Sequence, residues 1–376
     1  MKRLCGLTIS LLILLAPAIM AEENITPLPI GSSAPEFALP GVDGKTYSLD
    51  NFKQAKILAI IFTCNHCPTA QAYEERIIQM VKDYTPKDVA FVAISPNDPL
   101  SVRLDELGYS DLGDSLEDMK IRAKDKKYNF PYLYDGETQV ISKKYGPTAT
   151  PHIFLFDKER KLKYRGRIDN NERDPKKVTV RNAKIALDAM LSGKPVDQET
   201  SKPMGCSIKW SSKRDWVVKG KAAWAKEPVE MKPIGVDGIK KLVANQTEKY
   251  RLINVWATWC GPCVIEFPEL ITVNRMYRKR HFEFVTVNVD GPDSEEAKIL
   301  KFLKEQQASG VNYYFNSTEQ EAFIEALDPE WQANLPFTIL VKPGGGIVYR
   351  HSGIIDPLEL KQEIVERIGR TYASKK

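Results

Sequence analysis

Leu252-Ile253-Asn254-Val255-Trp256-Ala257-Thr258-Trp259-Cys260-Gly261-Pro262-Cys263-Val264-Ile265-Glu266 is the stretch that decides the fold. Its first six residues are nearly all apolar, as in a strand buried on both faces. Cys260 then stands where a helix begins, and Phe282 to Val289 supplies a second buried strand. Strand, helix, strand implies a right-handed crossover between parallel strands. Phe337 to Val341 and Ile347 to Tyr349 read as a hairpin around Gly344-Gly345-Gly346, and a helix from about Pro357 to Ile368 closes the unit.

The same order occurs earlier in the chain. Ala34 to Tyr47 alternates apolar residues on either side of Gly41 and Gly44, the pattern of an exposed hairpin. Lys56 to Phe62 is a buried strand, Ala70 to Val81 has helical spacing, and Val89 to Ile94 is the next strand. Cys64-Asn65-His66-Cys67 falls at the strand-to-helix junction. A helix near Leu116 to Lys127, a strand pair at Ile153 to Phe156 and Leu162 to Arg165, and a helix over about Val178 to Leu191 come next. The expected fold is α/β: two tandem thioredoxin-like units, each a central mixed sheet flanked by helices. The expected divisions are residues 1–21, 28–194, 195–230 and 231–376. The third of these, an ordered connector, holds Cys206 and three of the six tryptophans, Trp210, Trp216 and Trp224. A floppy linker avoids such residues.

Residues 1–21 have the form of an export leader: Lys2 and Arg3, an apolar run from Leu11 to Leu15, then Ala16, Ala18 and Ala21. The run is too short to span a bilayer, and no later stretch is long and apolar enough. An exported chain without a membrane span after leader removal is therefore expected. The formal charge of +5 falls to +3 once Lys2 and Arg3 leave, too mild an excess to imply a nucleic-acid partner. About 355 mature residues call for two cores rather than one.

Five cysteines remain after the leader: Cys64, Cys67, Cys206, Cys260 and Cys263. That is too few for a disulfide-stapled scaffold, and two Cys-x-x-Cys pairs in separate units do not make one zinc site. Thiol–disulfide exchange does fit. It needs a thiolate, which a helix N-terminus stabilises through its unpaired N–H groups and partial positive charge. A second thiol one turn on resolves the mixed disulfide.

The Trp-Cys-Gly-Pro-Cys segment and the residues after it strongly resemble the thioredoxin superfamily, in particular its exported TlpA/ResA-like branch, from about Met231 to the C-terminus. The resemblance implies Cys260 as attacking thiol, Cys263 as resolving thiol, Pro336 as a cis-proline beside them, and Glu266 as the acid that manages the proton. Asn254 stands where cytoplasmic thioredoxins carry a buried Asp. The segment from Ile30 to Trp210 resembles a peroxiredoxin-like branch of the same fold, on Phe62-Thr63-Cys64-Asn65-His66-Cys67-Pro68, Thr150-Pro151-His152 and Gly205-Cys206-Ser207. This implies Pro151 as a second cis-proline and His66 as an oxidising influence beside Cys67.

Peroxiredoxins use Pro-x-x-x-Thr/Ser-x-x-Cys. With Cys64 as nucleophile, Ile57 and Ile61 stand at the two required positions, so a thioredoxin-type site centred on Cys64 is the first expectation, and an antioxidant peroxiredoxin-like domain recycled by the C-terminal thioredoxin domain is the alternative. Cys206 is a candidate resolving thiol for Cys64 or Cys67. The expected partners are protein thiols and disulfides and an upstream thiol electron donor, with no cofactor or metal. The Gly261-Pro262 pair leans reducing and Asn65-His66 leans oxidising, so electrons are expected to pass from the C-terminal pair to the N-terminal pair or to a substrate disulfide.

Overall fold

The computed structural model describes residues 25–372 apart from Asp293; the expected leader lies outside the described residues. In chain order the elements are β1 (Ala38–Pro40), β2 (Thr46–Ser48), β3 (Ile57–Phe62), α1 (Pro68–Tyr84), β4 (Val89–Ser95), α2 (Leu116–Asp125), β5 (Tyr132–Tyr134), α3 (Val140–Tyr145), β6 (His152–Phe156), β7 (Leu162–Gly166), α4 (Asn182–Leu191) and α5 (Arg214–Trp224). They continue with β8 (Lys232–Ile234), α6 (Val236–Ala244), β9 (Tyr250–Trp256), α7 (Gly261–Tyr277), β10 (Phe282–Asn288), α8 (Glu296–Glu305), β11 (Val311–Phe315), α9 (Gln320–Leu327), β12 (Phe337–Val341), β13 (Ile347–Ser352) and α10 (Pro357–Ile368).

Two sheets carry the fold, ordered β5-β4-β3-β6-β7 and β13-β12-β9-β10-β11-β8. The most apolar strands take the centre because both their faces are covered: all six residues of β3 are buried, as are six of seven in β9. In each sheet the central strand pairs in parallel with the crossover strand on one side (β4, β10) and antiparallel on the other (β6, β12). The plan read from the sequence is present twice, and β1 and β2 form the expected hairpin. One helix starts later than its periodicity suggests. Asn170 Oδ1 takes the N–H groups of Thr179 and Val180 at 3.0 Å each, holding them in a loop, so α4 opens at Asn182.

The two units meet at the C-terminal ends of α7 and α10. Leu104 and Leu107 of the first unit pack on the core of the second. Tyr277 donates to Ser110 O at 2.8 Å, Lys279 pairs with Asp105 at 2.6 Å, and Arg370 pairs with Asp111. The Arg280 guanidinium lies 3.5 Å from the Tyr109 ring centroid. In the connector, Arg275 sits over Trp224 at 4.8 Å, whereas Trp216 is more than half exposed. Tryptophan content alone therefore overstated how closely α5 packs.

Candidate functional site

Cys260 is the N-cap residue of α7, and its Sγ accepts the backbone N–H of Cys263 at 3.3 Å. The two cysteines are joined as a disulfide. Cys263 is fully buried, Cys260 nearly so, and the flanking Trp259 and Ile265 are each more than two-thirds exposed. The Leu335–Pro336 peptide is cis, at the start of β12 beside β9. One turn beyond Cys263 on the same helix face, Glu266 is buried; it accepts Asn254 Nδ2 and the Ile355 N–H, each at 2.9 Å. Burial pushes its carboxyl above the ordinary range, against those two hydrogen bonds. A buried carboxyl that is easily neutralised is suited to exchanging a proton with a neighbouring thiol. Glu266→Gln is expected to flatten the pH dependence of resolution: the wild-type rate rises with pH as Glu266 becomes a base, and the variant lacks that limb. Stopped-flow reduction of a substrate disulfide by the reduced protein across pH checks this.

In the first unit the register corrects the reading of Cys64. Phe62 pairs with His152, the first residue of β6, and Val255 pairs with Phe337, the first residue of β12. Counting five residues on from each of these equivalent positions reaches Cys67 and Cys260. Cys67, not Cys64, is the N-cap of its helix, and its Sγ accepts the Ala70 N–H at 3.4 Å, as Cys260 accepts that of Cys263. Cys64 stands where the second unit has Ala257, and Ala70 where it has Cys263. Pro68 at the first helical position marks the boundary, because its fixed φ suits a helix start and the N–H it lacks would have had no partner there. The Thr150–Pro151 peptide is cis, as expected.

His66 is buried, with Nδ1 2.6 Å from Asp114 Oδ2, and the other Asp114 oxygen accepts the N–H groups of Asn65 and His66 at 2.9 and 3.1 Å. Asn97 Nδ2 completes the set at 2.7 Å. Burial opposes charge on His66, but the Asp114 carboxylate raises its pKa above the usual imidazole value. Burial likewise works against Asp114, yet His66 holds it below the usual carboxylate range. Each shift favours the charged form of its group, so the two side chains stabilise one another as an ion pair. Cys67 feels it: burial alone would raise this thiol, but hydrogen bonds from Cys206 and Cys64, the His66 charge and the Ala70 N–H bring it well below an ordinary cysteine. Cys64, desolvated and facing Cys67 and Asp114, is pushed well above. Cys64, His66 and Asp114 bring donor atoms within 4.8 Å of one another, but both Asp114 oxygens are already committed to these hydrogen bonds.

Sequence reading missed Asp114, Asn97 and Thr150. Asp114 is one acid in a polar insertion and gives no local signal. The second unit repeats the device with Asp290, which accepts the N–H and Oγ1–H of Thr258, each at 2.7 Å. Thr258 and Asn65 occupy the same register position, which independently supports the equivalence of Cys67 and Cys260.

The AhpC/TSA family matches residues 30–165, and the Redoxin family matches residues 229–363. The chain is a two-domain member of the thioredoxin superfamily. Among curated relatives of this superfamily member, the thiol-disulfide oxidoreductase ResA of Bacillus subtilis is 33% identical over 98 residues, covering 26% of this chain and 49% of ResA. A thioredoxin of Coprinus comatus is 42% identical over 53 residues, covering 14% of this chain and 50% of that protein. The chain thus spans about half the length of these curated relatives. An uncharacterized conserved protein of Geobacillus kaustophilus, of known crystal structure, is 40% identical, with 49% of this chain and 93% of that chain covered and a TM-score of 0.44.

Proposed function

We propose that this superfamily member is an exported thiol–disulfide oxidoreductase that reduces protein disulfides at Cys260 and Cys263 and is itself reduced by an upstream dithiol. The observation that carries the reading is Cys260 capping α7 with its sulfur on the Cys263 N–H, joined to that cysteine as a disulfide. The thiolate of Cys260 attacks the substrate disulfide, Cys263 resolves the intermediate, and Glu266 exchanges the proton. The exposed Trp259 and Ile265 offer an apolar rim to an incoming polypeptide. Export rests on the leader-like residues 1–21. Among the described residues no helix is long and apolar enough to cross a membrane.

The corrected register weakens the peroxidase alternative further. With Cys67 at the helix cap, the Pro and Thr/Ser of the peroxiredoxin pattern fall on Ile60 and Cys64. The spacing of the two domains bears on electron flow. Cys260 lies at the start of α7 and the interface at its far end, 17 residues or about 25 Å away. Cys67 instead lies near the interface: Gln71, one turn on, donates through Nε2 to the carbonyl of Tyr109 at 2.9 Å, and the Tyr109 ring meets Arg280 of the second unit. Sulfurs must touch to exchange, so in this arrangement the two sites of one chain work separately, and the expected flow from the C-terminal to the N-terminal pair requires a second molecule.

Insulin reduction with a dithiol donor tests the proposal. The full chain and its Cys67→Ser variant are both expected to precipitate insulin B chain at similar rates. A wild-type chain that leaves insulin intact overturns it.

A further inference from the structure

One residue of the first domain touches all three of its cysteines. Thr150 Oγ1 is 3.3 Å from Cys64 Sγ, its carbonyl oxygen lies 3.3 Å from Cys67 Sγ, and its N–H donates to Cys206 O at 3.0 Å. Thr150 and Cys206 form an antiparallel bridge, so the connector lies as an added strand segment over the thiol site. This approach depends on Gly205, where a Cβ would fall 1.9 Å from Thr150 O. The segment is anchored beyond Cys206 as well. Ile208 and Lys209 are buried, the Lys209 N–H donates to Asn97 Oδ1 at 2.9 Å, and Gln139 Nε2 donates to Lys209 O at 2.9 Å. Cys206 packs against Cys64 and Cys67 as a consequence.

The register places Ala70 where a resolving cysteine would stand, so a resolving thiol for Cys67 has to come from outside the helix. Cys64 and Cys67 are both buried, whereas Cys206 is partly exposed. We propose that Cys67 and Cys206 form the redox pair of the first domain, with outside thiols exchanging at Cys206 Sγ and Cys67 serving as the buried thiolate.

In the oxidised domain a thiolate of a partner dithiol attacks Cys206 Sγ; the new sulfur–sulfur bond forms there, the Cys67–Cys206 bond breaks, and the electron pair stays on Cys67. The Ala70 N–H and the charged His66 stabilise that leaving group, and a low-pKa thiol leaves faster. The partner's second thiolate then attacks its own sulfur in the mixed disulfide, closing the partner disulfide and releasing Cys206, which takes up a proton. The partner is oxidised by two electrons and the Cys67/Cys206 pair reduced; a partner disulfide runs the steps in reverse.

The inference rests on the thiol–disulfide reading, but it concerns the domain that insulin reduction at Cys260 does not probe. The test equilibrates the full chain in glutathione buffers from reducing to oxidising, quenches in acid, alkylates free thiols and maps linked peptides by mass. The Cys67–Cys206 linkage is expected to exceed the Cys64–Cys67 linkage by about tenfold or more in the wild type and to persist in Cys64→Ser. In Cys67→Ser, glutathione is expected on Cys206 and not on Cys64. A dominant Cys64–Cys67 linkage overturns the proposal, as does the absence of any first-domain disulfide in buffers that oxidise Cys260 and Cys263. Either result with insulin reduction intact removes this inference and leaves the proposed function standing.

Discussion

Cys260→Ser is expected to lower insulin reduction by about 10³-fold or more while leaving the fold intact, because serine is no nucleophile toward a disulfide at neutral pH. The geometry explains why neither Cys263 nor Cys67 substitutes. Cys263 is fully buried beneath Cys260, so it can attack a sulfur already bound to Cys260 but not one arriving from solvent. Cys67 is also fully buried and lies in the other domain. Cys263→Ser is expected to behave differently: Cys260 still attacks, the intermediate is not resolved, and a mixed disulfide with the substrate accumulates on a non-reducing gel. Retention of a tenth or more of the activity in Cys260→Ser would assign the reaction to the first domain.

Asp114→Asn is expected to destabilise the first domain by about 3 kcal/mol or more at pH 5.5, since it leaves the buried His66 without its counter-charge. The pH dependence comes from the two shifts. His66 is raised, so its contribution is fully present below the unfolded imidazole value near 6.5 and is lost as pH rises through the folded value. Asp114 is lowered, so its contribution is present above about 3.9 and is lost as pH falls through the folded value. The gap between wild type and variant should therefore be widest between about pH 4 and 6.5 and narrow at pH 9. Hydrogen exchange of the β3 amides reports unfolding of this domain specifically. A gap that is constant from pH 5 to 9 would mean that His66 is neutral. The same substitution is expected to raise the Cys67 pKa, read from thiolate absorbance, because His66 then loses its charge.

Much of the architecture is legible because it rests on periodicity. The continuous apolar runs of β3 and β9 admit no position except the centre of a sheet covered on both faces, and α10 has the bounds its spacing implies, Pro357–Ile368. The short strands β5 and β8 carry too few residues for a pattern, and only their neighbours make them strands. The chemistry divides along similar lines. At the second site the attacking thiol, the second thiol and Glu266 lie within seven residues on one helix start, so local sequence fixes their relation.

At the first site local sequence was misleading. Two cysteines with two residues between them suggest a pair spanning the helix start, but Pro68 sets the start after Cys67, and the strand register leaves Cys64 three residues before the cap. Its other members come from four separate places in the chain: Asn97 from just after β4, Asp114 from just before α2, Thr150 from before β6, and Cys206 from the connector. The sequence alone determined that the chain folds twice on one plan and where redox cysteines meet helices. Only the tertiary structure decided which cysteine caps the first helix, what charges the histidine beside it, and which third thiol lies against it, because buried electrostatics and strand register are set by residues distant in the chain.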